Sequence, residues 1–430
     1  MKIYSLAELL RTAREQSSYY RKLYVGVAEF ADGRVPELSQ LPIVDQTEFW
    51  AANTIQHNQL LTRPMADGIV FKSGGTTGSP KFSVFSQEEW DSFTEVFSRG
   101  LSANGLKSGQ RIANLFYVGE LYASFIFIMK SIEQAVEPAL HFPIAGTTSP
   151  EEVLKIVGDF DVDVIAGVPT TLLVLAEYFS RNKSRYPKVS PRKILFGGES
   201  MYSDQRERLQ EIFPGVDIRS IGYASVDAGP IGYADPECGQ DEHRVFGDAT
   251  HLEIVDEDTG EVILEPKRPG RILLTNRTRI LMPIIRYPVG DRAQWVEEVS
   301  PGFRDRKYVI LGRSGEAARV GPVSIYYEDM RAFLAPRLLG MNFNQFQLVI
   351  AHRMGRDLLV VRIGASAQID ELKAFEKKVI AEFSTERPMF AESVAKGLIH
   401  PLEIEWVDPR LLTTNPRTGK LKRIIDQRKA

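Results

Sequence analysis

Nine consecutive residues, Ser73-Gly74-Gly75-Thr76-Thr77-Gly78-Ser79-Pro80-Lys81, bring together three glycines, four hydroxyl side chains and a lysine. Gly74, Gly75 and Gly78 free the backbone to take positive φ and to approach a ligand closely. Successive N–H groups in such a turn form an anion-binding nest. The hydroxyls of Ser73, Thr76 and Thr77 add donors, and Lys81 adds a mobile positive charge. This is the chemistry of a phosphate grip. It is not a Walker loop, because no Gly-Lys-Ser/Thr stands at the required offset and Pro80 blocks a helix there. The plain alternative is a Gly/Ser-rich hairpin turn, which needs only two to five loop residues.

Four further stretches carry reactive side chains. Gly197-Gly198-Glu199-Ser200 follows Lys193-Ile194-Leu195-Phe196, where two glycines admit a planar base or an acyl group, or simply make a tight turn into the next helix. In Gly222-Tyr223-Ala224-Ser225-Val226-Asp227, a tyrosine at a strand exit can stack on an adenine ring, and a carboxylate four residues on can hold Mg²⁺. Asp291 follows Gly290, where a turn-forming role is the ordinary one. Asn415-Pro416-Arg417-Thr418-Gly419-Lys420 ends the chain's chemistry on a lysine in a basic tail, the usual fate of which is solvation.

The elements that must position these residues are legible from periodicity. Ile69-Val70-Phe71 and Phe82-Ser83-Val84-Phe85 read as hairpin arms around the glycine-rich loop. Ser86 with Glu89 makes a capping box, and Trp90, Phe93, Phe97 and Leu101 recur at helical spacing. From Arg111 onward strands alternate with helices: strands over 112–118, 135–140, 162–166, 194–196 and 218–223, helices over 121–132, 171–179 and 204–213. That alternation predicts a parallel sheet covered on both faces, with ligands beyond the strands' carboxyl ends. After Cys238 the texture changes to short strands and tight turns, such as 252–255 and 262–264 around Glu257-Asp258-Thr259-Gly260-Glu261. The last 115 or so residues read as a helix over 324–339, a hairpin of 347–350 with 358–361, a helix over 369–383 and a strand over 402–407. The expected fold is α/β: a large N-terminal domain, 1–312, of parallel sheets flanked by helices plus a small antiparallel β unit. A small mobile α+β C-terminal domain, 313–430, follows it.

Composition narrows the partners. With 430 residues, 43% hydrophobic and 25% charged, the chain can bury more than one core, and a net charge of −3 argues against nucleic acid as main partner. One cysteine, Cys238, excludes an internal disulfide framework. Cys238 and His243 are two ligands where a structural zinc wants four, so an isolated thiol and a surface histidine are the simpler reading. No apolar run is long enough to span a membrane, and the N-terminal region lacks a signal peptide's apolar stretch, so a cytoplasmic protein is expected. Oligomeric state is not readable.

The loop at 73–81 resembles the signature of the adenylate-forming superfamily of acyl-coenzyme A synthetases, peptide-synthetase adenylation domains and firefly-type luciferases. The Ser17-Ser18-Tyr19-Tyr20-Arg21 segment, followed some twenty residues later by Leu41-Pro42, is similar to the entry of its phenylacetate-coenzyme A ligase subgroup. The resemblance implies ATP as co-substrate with Mg²⁺, and coenzyme A as acceptor. It implies that Ser73, Gly74, Gly75, Thr76, Thr77, Gly78 and Lys81 hold the β- and γ-phosphates, that Gly198, Glu199 and Tyr223 face the adenine, and that Asp227 holds Mg²⁺. Asp291 and Arg313 would hold the ribose, and Lys420 would bridge the substrate carboxylate and the α-phosphate. Val226-Asp227 stands where the family has threonine-glutamate, Val289 replaces a threonine, and Ser314-Gly315-Glu316 departs from the usual hinge. Tyr117, Tyr122, His141, Phe142 and Gly198 are the candidates for an aromatic-lined acyl pocket, on the expectation that they follow strand ends. Three functions are carried forward: an aryl-acid coenzyme A ligase, an adenylating enzyme that passes its acyl group to a separate carrier protein or an amine, and a nucleotide-binding module without catalysis.

Overall fold

The computed structural model describes residues 1–429 except 32, 74–80, 301, 303–304, 314–316, 322, 339–342, 355, 366–368 and 417. β1 (Ile69–Ser73) and β2 (Lys81–Phe85) pair antiparallel from Ile69↔Phe85 to Ser73↔Lys81, so the glycine-rich loop joins two strands locked in register. The helix Gln87–Ala103 starts where its capping box predicts: Ser86 accepts from the Glu89 N–H, and the Glu89 carboxylate accepts from Ser86 N–H at 3.0 Å. Its apolar face joins Phe71 and Phe85 of the hairpin and Phe127 in one aromatic cluster, with Phe93 and Phe127 rings 4.6 Å apart.

β3 (Arg111–Leu115), β4 (Leu140–Pro143), β5 (Val164–Gly167), β6 (Lys193–Phe196) and β7 (Asp217–Ser220) form the expected parallel sheet in the order β4-β3-β5-β6-β7. Central β5, Val-Ile-Ala-Gly, is buried throughout, as a strand covered on both faces must be. The strand expected over 218–223 ends at Ser220. Gly222 takes φ +127°, and a side chain there would sit 2.9 Å from the Phe97 ring and 3.1 Å from the Gly232 carbonyl, so the chain turns out of the sheet at a position only glycine fits.

Tyr223 then opens a second sheet: β8 (Tyr223–Ser225), β9 (Gly229–Tyr233), β10 (Glu242–Val245), β11 (Thr250–Val255), β12 (Gly270–Asn276), β13 (Tyr287–Trp295) and β14 (Lys307–Arg313). All pairs are antiparallel, in the order β11-β12-β13-β14-β10-β9-β8. Consecutive strands pair except where β14 returns to β10, with Glu242 opposite Val309, a distant pairing that local periodicity does not reveal. The N-terminal helices Leu6–Gln16 and Ser18–Leu23 pack Leu9, Leu10 and Tyr20 into a core with Ile254, Ile272 and Leu274 of this sheet. Tyr20 is fully buried, and its hydroxyl donates to the Pro283 carbonyl at 2.9 Å.

The chain divides into two compact units, one of residues 1–169, 184–200 and 215–314, the other of 170–183, 201–214 and 315–430. Everything above lies in the first. The second contains β15 (Ala317–Val320) paired with β16 (Val323–Tyr326), and β17 (Phe343–Arg353), β18 (Arg356–Ala365), β19 (Glu403–Val407) and β20 (Ile424–Asp426) in the order β19-β18-β17-β20. The helix expected over 324–339 is instead a strand to Tyr326 and a helix Tyr327–Leu334, because β-branched Val323 and Ile325 favour an extended start. Two segments from the middle of the sequence belong to this unit: Arg208 pairs with Glu177 at 2.7 Å, Arg331 with Asp204, and Gln345 donates to Thr170 at 3.0 Å.

Candidate active site

The hairpin and Asp227 meet in the first unit. Ser83 of β2 donates to the Asp227 carboxylate at 3.2 Å, and Ser225 Oγ accepts from Asp227 N–H at 3.2 Å. Beneath them lies a fully buried guanidinium. Arg279 donates to the main-chain carbonyls of Asp227 (2.7 Å) and Val84 (3.1 Å) and sits 4.1 Å over the Phe85 ring. Burial pulls its pKa down to about 10, with Glu89 and Asp227 opposing the shift, so it stays charged at neutral pH. One side chain thus ties β2 to the Asp227 segment. Glu89 does similar work: besides Ser86, its carboxylate accepts the N–H groups of Ile280 and Leu281, both at 2.6 Å, fixing the loop that carries Arg279. Lys81 places its ammonium 5.3 Å from the Trp50 ring centre, and the Trp50 indole donates to Tyr287 at 2.9 Å. Gly74, Gly75, Thr76, Thr77 and Gly78 lie outside the described residues, as does the side chain of Ser73.

Tyr223 donates its hydroxyl to the Asp291 carboxylate, and Asp291 of β13 faces Arg313 of β14 in register. The bend into Asp291 is built by Arg286, at φ +46°, whose guanidinium is buried against buried Glu253 at 3.0 Å, and by Gly290 at φ +86°. The structure therefore gathers Tyr223, Asp291 and the Arg313 backbone, while Ser314, Gly315 and Glu316 lie outside the described residues. Behind Tyr223, His243 is completely buried, with Nε2 2.8 Å from Ser220 Oγ, which also accepts the Gly222 N–H at 3.2 Å. Burial lowers the imidazole's pKa to about 4. The surface histidine expected at this position is thus a core residue, and Cys238, its thiol pushed up to about 11 by burial, lies against Asp235 rather than His243.

Tyr117 and Tyr122 do lie past the end of β3. Tyr117 accepts the Phe125 N–H at 2.9 Å, and a side chain on Gly146 would come within 2.4 Å of its ring. Leu121 accepts the Lys72 N–H at 2.9 Å, joining this loop to the glycine-rich hairpin. Gly198 follows β6 at φ +81°. His141 and Phe142 were expected past a strand end, but β4 begins at Leu140, five residues later than the sequence suggested. They are interior strand residues paired with Ile112 and Ala113, and Phe142 packs on Phe160 at 5.3 Å. A cavity of about 600 Å³ opens at the opposite, amino edge of the sheet beside Lys193 and Arg219, which both pair with Asp217. It contains none of the candidate residues.

In the second unit, Lys420 closes a tight loop. Asn415 N–H donates to the Lys420 carbonyl at 2.8 Å, the Asn415 carbonyl accepts Gly419 N–H at 2.8 Å, and Gly419 takes φ +66°. Arg423 just beyond is held by Glu328 (3.1 Å) and the Tyr202 hydroxyl (3.2 Å).

Among the described residues no group of three or more His, Cys, Asp or Glu could hold a metal. Mg²⁺ binds through one or two carboxylates plus phosphate oxygens. A single Asp227 beside a phosphate-type hairpin therefore suits Mg²⁺ that arrives with a nucleotide, and not a protein-caged ion.

The family model for AMP-binding enzymes matches residues 46–282, more than half of the chain and the whole stretch from hairpin to Arg279. The chain belongs to the AMP-binding enzyme family. Within reach of this AMP-binding enzyme is the phenylacetate-coenzyme A ligase of Aromatoleum evansii, 24% identical over 434 residues that cover 97% of this chain and 92% of that one. Indoleacetate–lysine synthetase of Pseudomonas savastanoi is 25% identical over 344 residues, 78% of this chain and 75% of that one. The crystal structure of 2-hydroxyisobutyryl-CoA ligase in the postadenylation state with 2-HIB-AMP has the same fold, with TM-score 0.78 at 19% identity over 99% of this chain and 88% of that one. The residues that sequence reading missed in this AMP-binding enzyme are Arg279 and the second role of Glu89. A lone arginine in a loop looks like a solvated one, and Glu89 is explained locally by its cap.

Proposed function

We propose that the protein activates a carboxylic acid, aromatic in character, by adenylation and then transfers the acyl group to the thiol of coenzyme A. The observation that carries the reading is the contact of the phosphate hairpin with Asp227, beside Asp291 facing Arg313, in a chain of the AMP-binding family. A carboxylate oxygen attacks the α-phosphorus of ATP, the bond to the β-phosphate oxygen breaks, and pyrophosphate leaves. Such chemistry needs positioning and charge neutralisation above all. Ser73 to Lys81 grip the β- and γ-phosphates, and Asp227 would hold Mg²⁺, which would supply neutralisation of phosphate charge. Asp291 accepts the ribose hydroxyls, a task suited to a carboxylate because it can take two hydrogen bonds from a diol. To do so it exchanges its bond from Tyr223, leaving that ring to lie against the adenine. Lys420 bridges the carboxylate and the α-phosphate as charge develops. For the second step the C-terminal unit turns, Lys420 withdraws, the thiolate attacks the acyl carbonyl and AMP leaves. Tyr117 and Tyr122, on the loop joined to the hairpin through Lys72, favour an aromatic acid, as do the names of the phenylacetate- and indoleacetate-activating relatives.

A second reading, an amine as acceptor, is favoured by the lysine synthetase relative. Incubating the protein with ATP, Mg²⁺ and an arylacetic acid, with either coenzyme A or lysine, and weighing the products decides between them. A thioester formed only with coenzyme A supports the proposal, and an amide formed only with lysine replaces it.

A further inference from the structure

Gln347 lies in the middle of β17 and is fully buried, yet among the described residues its side chain pairs with no group on its own sheet. Its amide instead spans the neck of the loop that carries Lys420. Nε2 donates to the carbonyls of Thr413 (2.8 Å) and Lys422 (2.7 Å), and Oε1 accepts the Thr413 N–H at 3.0 Å. The two limbs also meet directly, Lys422 N–H on the Thr413 carbonyl at 3.0 Å and Thr414 bridging Leu421. Next in the strand, Leu348 donates to the Arg423 carbonyl at 2.8 Å and pairs with Ile424 of β20. One rigid strand thus holds both ends of the lysine loop.

The chemistry of the contact is specific to glutamine. An amide has donors and an acceptor on one planar group, and here two carbonyls and one N–H converge on it. Leucine of similar size leaves the Lys422 carbonyl and the half-buried Thr413 N–H without this partner, so that water takes its place and the two limbs of the loop can part. A glutamate accepts from Thr413 but points a carboxylate at two carbonyl oxygens.

We propose that Gln347 is a positioning residue for Lys420: it clamps the neck of the loop so that the ammonium is presented in one place. The inference rests on the reading of Lys420 as the adenylation lysine, and it makes Gln347 responsible for turnover and not for ATP binding. Displacing a catalytic group by an ångström costs about 10²-fold in rate.

The test uses the full chain and the variants Gln347→Leu, Gln347→Glu and Lys420→Ala. Two quantities are measured: the kcat and ATP KM of acid-dependent pyrophosphate–ATP exchange, and the rate of native-state tryptic cleavage after Lys420 and Lys422 relative to cleavage elsewhere. The expected result is a fall in kcat of about 10- to 100-fold in both Gln347 variants at an unchanged ATP KM, with cleavage at the loop accelerated selectively. Wild-type kcat with wild-type loop cleavage overturns the proposal. So does a loss of activity accompanied by uniformly faster cleavage along the whole chain, which marks general destabilisation. If Lys420→Ala itself exchanges at the wild-type rate, the role given to Lys420 fails, and the loop-cleavage rate still decides whether Gln347 clamps the neck.

Discussion

At the scale of single residues, charge and burial divide the work. Asp227 is a carboxylate that contacts the glycine-rich hairpin, through Ser83. Asp227→Asn keeps size and removes charge, so the Mg²⁺ concentration for half-maximal exchange is expected to rise about tenfold, roughly 1.4 kcal/mol of metal affinity, while the melting temperature stays put. A titration of exchange rate against Mg²⁺ checks this, and an unchanged midpoint assigns the metal elsewhere. His243 works through protonation. Buried neutral with its pKa near 4, it resists a proton that the unfolded chain accepts at about 6.5. Its contribution to stability is therefore complete above about pH 6.5 and is lost as pH falls toward 4, a total of about 3 kcal/mol. Urea unfolding at pH 7.5 and pH 5 shows the loss, and His243→Asn flattens it; an equal pH dependence in the variant rules the histidine out as its source. Asp291 was singled out in sequence only through the resemblance of Tyr287-Pro288-Val289-Gly290-Asp291 to a family string, and it lies against the Tyr223 hydroxyl. Arg279 was not, since nothing local distinguishes a guanidinium that will lie over Phe85 from one in solvent.

At the scale of elements, the hairpin, the helix Gln87–Ala103 and the turn out of the parallel sheet hold the site. Glu89 accepts three backbone N–H groups while almost completely buried. Glu89→Ala leaves those donors unpaired and loosens the loop bearing Arg279, so unfolding free energy is expected to drop by about 3–5 kcal/mol. Chemical denaturation measures it, and a loss under about 1 kcal/mol would mean that water replaces the carboxylate. Gly222→Ala places a methyl against the Phe97 ring at a φ of +127°, and both strain and contact argue for a loss of about 1–3 kcal/mol. Exchange should fall along with it, because Tyr223 is the next residue. The parallel strands and the capping box were readable because they depend on neighbours in sequence. The start of β4 and the end of β7 were not: the first misplaced His141 and Phe142 as exit residues, and the second hid the passage of Tyr223 into another sheet. Both boundaries are set by partners far along the chain, Ile112 for His141 and Phe97 for Gly222.

At the scale of the whole molecule, the residues to which the proposed mechanism gives chemistry fall in two compact units, the hairpin, Asp227 and Asp291 in one and Lys420 in the other. Residues 170–183 and 201–214 also belong to the unit of Lys420, an interleaving that linear order along the sequence does not anticipate. No helix among the described residues is long and apolar enough to cross a membrane. Both units are needed for adenylation in the proposed mechanism. The most direct measurement of that claim is acid-dependent exchange of labelled pyrophosphate into ATP across a panel of aromatic and aliphatic carboxylic acids, with Lys420→Ala as control. The expected result is exchange with an aryl acid, reduced about 10²- to 10³-fold in the variant. Measurable ATP binding with no exchange for any acid would contradict it and leave a nucleotide-binding module without catalysis.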